Sequence, residues 1–286
     1  MTLPDMRFLA LTLLVAVTGC GPDMAMPSDG EISTRVEDAT QRLEGSDAGQ
    51  IVLEVIEAHG GLDAWYANGP LGYRYTYTRL DSTGAPAGSA IDTRQLVDPW
   101  ASRAVHTMAA DTSVSFGWTG TDAWVRPADA ELPTDARFWS LTPYYFVSIP
   151  FVFADPGVVL EAAPADSVEG RPVDVVRVTF EPGTGDAPDD YYDLLVNADT
   201  RRVEGVRYVV SYAPFNPDGG HTPETLMIYD GDQTVGGITM QQGFRSFDSA
   251  TGTPKARGTL ADLEAAPDTP SNAFEMPSGG EVVSSL

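Results

Sequence analysis

The histidines are the side chains best suited to acid–base or metal chemistry, and the sequence has three of them, His59, His106 and His221. They fall in a predicted helix, a predicted strand and a loop rich in proline and glycine, without HxxxH or HxH spacing. A zinc site needs three or four ligands, so the sequence predicts no zinc centre. Nucleophile-elbow, phosphate-loop and dinucleotide-binding patterns are also absent. We therefore expect no cofactor and no enzymatic activity, although a Ser-His-Asp arrangement assembled by folding stays open.

One acidic loop, residues 183–190, groups the carboxylates of Asp186, Asp189 and Asp190. Calcium binds such oxygen ligands, but the spacing differs from an EF-hand loop, which ends in a glutamate and lacks proline. The favoured interpretation is a solvated acidic turn, with a calcium site as the alternative.

The most apolar part of the chain after the N-terminal segment is residues 133–156. Pro143 and Pro150 interrupt this stretch and exclude one long helix. We expect short helices or turns that pack across one face of a sheet. Two roles remain open, a structural plug or the lining and lid of a pocket for an apolar ligand. The pocket residues in the second case are Trp139, Tyr144, Tyr145, Phe146, Phe151 and Phe153.

The single cysteine, Cys20, follows an apolar run of about a dozen residues, which is too short to span a bilayer. Such a run behind a basic start is typical of a secretion signal. The residues Val17-Thr18-Gly19-Cys20 resemble the lipobox of bacterial lipoproteins. That resemblance implies a signal peptide over residues 1–19, cleavage before Cys20, and a lipid on Cys20 that anchors the protein to a membrane. The alternative is a plain signal peptide with an incidental cysteine.

Composition restricts the partners and the domain count. The formal net charge of −24 excludes nucleic acid as a partner, because a phosphate backbone requires a basic surface. Residues 20–45 are polar and acidic, so we expect the lipidated cysteine to be followed by a flexible tether, in which residues 36–43 are a candidate for a transient helix. Residues 46–286 are long enough for a single domain with a real core.

The periodicity of apolar residues predicts the helices and strands that position the residues named above. Residues 47–59 predict a helix, which Gly60-Gly61 ends. From Tyr73 onward, aromatic and polar residues alternate, as they do in a strand. About a dozen strands without intervening helices predict a mainly β fold with an antiparallel sheet built from hairpins. Beyond the strand that starts at Tyr73, the candidates are 89–97, 103–108, 113–118, 123–126, 158–162, 173–180, 191–197, 203–212, 224–229, 238–247 and 258–264.

The order of these features resembles a known group of bacterial proteins. The shared features are a helix ending in His59-Gly60-Gly61, the following Trp65, an aromatic insert ending at 153–158, and the paired segments 173–180, 185–192 and 194–207. This order is similar to the outer membrane lipoprotein-sorting-like family, which is related to the periplasmic lipoprotein carrier and its receptor. The likeness covers roughly residues 48–250. It implies a LolA/LolB-like fold, in which a strongly curved, unclosed half-barrel has its hollow covered by an N-terminal helix and the aromatic insert.

The resemblance also implies a function, because better-known members of the group hold acyl chains in the hollow. We expect a lipoprotein of the cell envelope that binds a lipid or another apolar molecule. Gly21 and Pro22 follow the cysteine instead of the aspartate that commonly marks inner-membrane retention, so the expected location is the periplasmic face of the outer membrane. An envelope hydrolase that uses the same cavity and a purely structural or interaction lipoprotein are the alternatives.

Overall fold

The computed structural model describes residues 26–185, 187 and 189–283. Its helices are α1 (Asp29–Leu43), α2 (Asp47–Ala58), α3 (Gly61–Ala67), α4 (Ala136–Trp139) and α5 (Thr142–Val147). Its strands are β1 (Leu71–Arg79), β2 (Ile91–Asp98), β3 (Arg103–Met108), β4 (Ser115–Trp118), β5 (Ala123–Arg126), β6 (Val158–Val168), β7 (Arg171–Phe180), β8 (Tyr192–Asn197), β9 (Val203–Tyr208), β10 (Thr225–Val235), β11 (Ile238–Asp248), β12 (Pro254–Ala265) and β13 (Glu281–Val282). Among the described residues, none of the helices has the length and hydropathy needed to cross a bilayer.

All described strands form one antiparallel sheet in the order β13-β5-β4-β3-β2-β1-β12-β11-β10-β9-β8-β7-β6. The order consists of two runs of hairpins, β1 to β5 and β6 to β12, which are joined where β1 pairs with β12. The sheet is strongly curved and does not close into a barrel. The mainly β fold class and the half-barrel expected from the sequence are therefore confirmed.

The topology explains why the aromatic segment covers the sheet. β5 is the penultimate strand at one edge, and β6 is the last strand at the other. The connection 127–157 must therefore cross from one side of the sheet to the other. It contains α4, α5 and a 3-10 helix, Phe151–Ala154, and we call these residues, 136–154, the insert.

The flexible tether predicted for residues 20–45 is wrong over most of its length. Helix α1 spans Asp29–Leu43 and begins with a capping box in which Ser28 and Glu31 bond each other's backbone N–H groups. Its buried residues are Ile32, Ala39 and Leu43, which belong to the main core. The polar composition of this segment therefore reflects the exposed face of an amphipathic helix.

Two arginines also join helix α1 to the C-terminal end of the insert and to Asp155 directly after it. Arg35 Nη2 donates to Asp155 Oδ1 at 3.2 Å, and Arg42 Nη2 donates to the carbonyl oxygen of Ala154 at 2.9 Å. The domain consequently begins at least as early as Asp29 and not at residue 46.

The helix predicted over residues 47–59 is present as α2. The Ser46 side chain accepts a hydrogen bond from Gly49 N at 3.0 Å, and His59 caps the C-terminus. Val52 and Ile56 are fully buried against the sheet. Gly60, at φ 115°, turns the chain into α3, which carries Trp65 into the core.

Candidate functional site

The insert lies in a layer of aromatic side chains over the concave face of the sheet. Five of its six predicted residues are almost completely buried, and Tyr145 is partly buried. Trp139 packs edge-on against Tyr77 of β1 with ring centroids 5.0 Å apart. Phe151 stacks on Trp65 of α3 at 4.5 Å. The insert thus fills the space between the helices and the sheet, as its apolar sequence predicts.

The sequence of the insert contains residues that favour the start of each short helix. Asp135 caps α4 by accepting a hydrogen bond from Phe138 N at 2.7 Å. Pro143 stands in the first turn of α5, where its missing N–H group breaks no helical hydrogen bond. The chain therefore turns twice within the insert while it remains over the sheet.

Hydrogen bonds from the sheet hold the helix ends of the insert. The carbonyl oxygen of Phe146 accepts from Tyr229 Oη at 2.7 Å and from Gln241 Nε2 at 3.1 Å. The carbonyl oxygen of Ser140 accepts from His106 Nε2 at 2.9 Å. Since the last carbonyls of a helix lack partners within it, these bonds fix the C-terminal ends of both α4 and α5.

Two cavities lie between the insert and the sheet in the described part of the chain. Cavity A has a volume of about 260 Å³, and cavity B has a volume of about 210 Å³. Cavity A is lined by Trp118, Arg137, Phe138, Leu141, Thr142, Tyr145, Phe146, Gly185, Ala187, Asp190, Tyr192, Val210 and Tyr212. Cavity B is lined by Tyr75, Tyr77, Arg79, Thr134, Phe138, Trp139, Thr142, Phe146, Tyr208, Val210, Phe215, Thr222, Thr225, Met227, Ser246 and Lys255.

The two cavities are neighbours that share a wall. Four residues line both of them, Phe138, Thr142, Phe146 and Val210. Each cavity alone is smaller than the roughly 300–1,000 Å³ typical of small-molecule sites.

The two aromatic residues of the shared wall, Phe138 and Phe146, differ in how firmly they are held. Phe138 is only partly buried and packs on Phe215 at 4.8 Å and on Tyr212 at 5.1 Å between centroids. Phe215 is 48% exposed, in the 3-10 helix of the loop between β9 and β10. Phe146, by contrast, is buried, and its carbonyl is held by two hydrogen bonds. The side chain of Phe138 is therefore held less firmly than that of Phe146.

The cavity linings are mainly apolar and uncharged. Burial raises the pKa of Tyr75, Tyr192 and Tyr208, so these phenols stay neutral at physiological pH. Two buried polar atoms on lining residues, Trp139 Nε1 and Tyr145 Oη, lack a hydrogen-bond partner among the described residues. Unpaired buried donors are rare because each costs about 1–3 kcal/mol.

The structure separates the six predicted pocket residues into two groups. Trp139, Tyr145 and Phe146 line a cavity, whereas Tyr144, Phe151 and Phe153 do not and pack in the core. Sequence reasoning missed the wall from the β9–β10 loop, which supplies Val210, Tyr212 and Phe215, and the basic residues Arg79 and Lys255. The one available signal was the aromatic residues inside a loop otherwise rich in proline and glycine.

The histidines are scattered, as their spacing suggests. His59 Nε2 accepts from Val203 N at 3.2 Å, so Nδ1 carries the proton and donates to the Thr239 carbonyl at 2.9 Å. Burial lowers the pKa of both His59 and His106 to about 4. His221 is exposed in a loop. Among the residues the structure describes, His, Cys, Asp and Glu form no group of three or more that could hold a metal.

The acidic loop is only partly described, because Asp186 lies outside the described residues. Asp189 is exposed. Asp190 Oδ1 accepts a hydrogen bond from Ser211 Oγ at 2.8 Å, and burial raises the pKa of its carboxyl. Asp190 thereby joins this loop to the chain that follows β9, and calcium binding stays an untested alternative. Cys20 and the predicted signal peptide also lie outside the described residues.

Comparison with solved structures identifies the fold. No protein-family profile matches the sequence, and no curated protein sequence matches it. A LolA superfamily protein from Nitrosomonas europaea superposes with a TM-score of 0.55 and 12% identity, over 81% of this chain and 99% of that one. A DUF1329 family protein from Desulfovibrio piger superposes with a TM-score of 0.53 and 10% identity, over 84% of this chain and 97% of that one. The chain therefore has a LolA-like fold, as its sequence resemblance predicted.

Proposed function

We propose that the protein is a lipoprotein of the bacterial envelope whose domain binds an apolar ligand, such as an acyl chain, beneath the insert. The observation that carries this proposal is the pair of neighbouring, mainly apolar cavities, A and B, which share four lining residues. A domain with a purely structural insert has no need of unfilled space there, because close packing of the interior stabilises it.

Opening of the wall is assigned to the side chain of Phe138. Phe138 contacts the exposed Phe215, and rotation of the Phe138 side chain out of the wall would join the two cavities. An elongated ligand then takes the place of these aromatic contacts and buries its own apolar surface, at about 25 cal/mol per Å². Helix α5 stays in place, because the carbonyl of Phe146 is bonded to Tyr229 and Gln241.

The proposed anchor is the lipid on Cys20, at the periplasmic face of the outer membrane. Helix α1 begins at Asp29, and the nine intervening residue steps extend to at most about 30 Å. This reach is short, so the domain stays close to the bilayer from which it would take an apolar ligand. Binding without catalysis is part of the proposal, since the rings of His59 and His106 bond to the backbone carbonyls of Thr239 and Ser140.

The test uses the uncharged fluorescent probe N-phenyl-1-naphthylamine and the full chain carrying Cys20→Ser, which lacks the acylation site. We expect saturable probe binding. Val210→Phe places a larger side chain in the wall shared by both cavities and should abolish it. The matched control is Val159→Phe on β6, a position 37% exposed and outside both cavities. A wild-type chain without saturable uptake, or equal uptake by Val210→Phe, would refute the proposal.

A further inference from the structure

Lys255 is the one lysine in the sequence, and it lines cavity B. It is partly buried at the start of β12. Its Nζ donates a hydrogen bond to Thr225 Oγ1 at 2.6 Å, and no ion pair with a carboxylate is found for it among the described residues. A partly buried ammonium group without a counter-ion is unfavourable unless something else compensates its charge.

A β-bulge sets the position of Lys255. In the ladder between β11 and β12, Ser246 pairs with Ala256 and Phe247 pairs with Pro254, so Lys255 is the extra residue. Bulges of this kind re-aim a side chain and are frequent beside functional sites. The irregularity here places the lysine among the aromatic residues of cavity B.

The charge around cavity B is positive, although the chain as a whole has a net charge of −24. Arg79, at the end of β1, also lines the cavity, is exposed and forms no ion pair among the described residues. None of the lining residues is acidic. The carboxylate that influences Lys255 is Asp248, and it accepts hydrogen bonds from Thr251 N at 2.9 Å and Thr251 Oγ1 at 2.8 Å.

We propose that cavity B takes the anionic head group of an amphiphile, a carboxylate or a phosphate, on Lys255 and Arg79. This inference rests on the proposed function and adds the class of ligand. The ammonium and guanidinium groups would donate charge-assisted hydrogen bonds to the head group. The acyl chain would pass the wall at Phe138 into cavity A, along the aromatic residues Tyr145, Phe146 and Tyr192, while Arg137 and Asp190 also line that cavity. The lowered pKa of Lys255, caused by burial, agrees with an ammonium group that lacks its anion.

The experiment compares competitors that share one chain length and differ in the head group. Full chain carrying Cys20→Ser is loaded with N-phenyl-1-naphthylamine, and the probe is displaced by dodecanoate, dodecyl phosphate, dodecanol or dodecyltrimethylammonium. We expect one of the two anions to compete best and the cation to compete worst. Whichever anion binds more tightly identifies the head group as carboxylate or phosphate, and this comparison needs no variant.

Variants then test which positive charge binds the head group. For each variant, the affinity for the anion is divided by the affinity for dodecanol. Lys255→Gln should lower this ratio at least about tenfold, the lower end of the contribution of one charge-assisted hydrogen bond. Lys255→Arg should restore most of it. Arg94→Gln removes a positive charge at an exposed position outside both cavities and should leave the ratio unchanged.

The outcomes separate the two proposals. Displacement of the probe by dodecanol and by the anions with equal affinity would overturn the head-group site and leave apolar binding intact. An equal loss of the ratio in Arg94→Gln and Lys255→Gln would also overturn it, because net charge would then explain the effect. A wild-type chain that never binds the probe would overturn apolar binding, and the head-group site with it.

Discussion

The two buried histidines, His59 and His106, should make the free energy of unfolding fall as the pH is lowered. His106 lies under the insert, stacked on Phe116 at 4.5 Å, and its Nδ1 has no hydrogen-bond partner among the described residues. Its Nε2–H group donates to the Ser140 carbonyl. Protonation would place a second N–H group and a charge in an interior without an acceptor, which is why burial lowers the pKa.

The sign and size of the effect follow from proton linkage. The pKa of each histidine falls from 6.5 in the unfolded chain to about 4 in the folded protein. The unfolded state therefore binds more protons between these values, and stability is lost as the pH falls through this window. At pH 5, 1.5 pH units below the unfolded pKa, the loss is about 2 kcal/mol per histidine at 1.36 kcal/mol per unit.

The assay is urea unfolding at pH 7.5 and pH 5.0, followed by tryptophan fluorescence. His106→Gln keeps a donor for the Ser140 carbonyl but cannot titrate, so its loss of stability between the two pH values should be about 2 kcal/mol smaller than that of the wild type. Asp155 and Asp190, whose pKa values are raised by burial, act in the opposite direction and are common to both proteins. His221→Gln, at an exposed site, should behave as the wild type. Equal pH-dependent losses in wild type and His106→Gln would refute the reasoning.

Three further predictions concern the insert, helix α1 and the anchor. Trp139→Ala should lower the free energy of unfolding by about 3–5 kcal/mol. Trp139→Phe should cost far less, because it removes a buried N–H group that has no hydrogen-bond partner among the described residues. Equal losses for the two variants in urea unfolding would contradict this. Ile32→Ala should lower the free energy of unfolding by about 2–5 kcal/mol, because Ile32 of α1 belongs to the core. A change below about 0.5 kcal/mol, the range of surface substitutions, would support the tether interpretation instead. Cys20→Ala should abolish acylation and membrane fractionation, and a variant that still matures and fractionates with membranes would exclude the lipid anchor.

Most of the sheet could be predicted because its signals are local. Alternation at Tyr73, Tyr75 and Tyr77 and the turn residues between strands identify the hairpins, and each pairing of neighbouring hairpin strands follows from chain order. The strand β13 was missed because its two residues, Glu281 and Val282, are too few to show a period. Helix α1 was predicted only as a transient helix over residues 36–43, because three buried side chains do not raise the hydropathy of a largely acidic segment.

The candidate site was only half predictable, for a different reason. The aromatic insert and its packing across one face of the sheet were predicted from composition and the two prolines, and the resemblance implied that this face is the hollow. Which of its residues line a cavity depends on packing between distant segments, such as Phe138 against Phe215. The position of Lys255 depends on a bulge, and a bulge has no periodic signal in the sequence.

The most direct test of apolar binding is native mass spectrometry of the full-length protein, extracted in mild detergent from the membranes in which it is expressed. We predict a non-covalent acyl-bearing ligand bound in a defined ratio and released on activation, present in Val159→Phe and depleted in Val210→Phe. Wild-type protein that is recovered without any such ligand, or a Val210→Phe variant that retains it in full, would contradict binding beneath the insert.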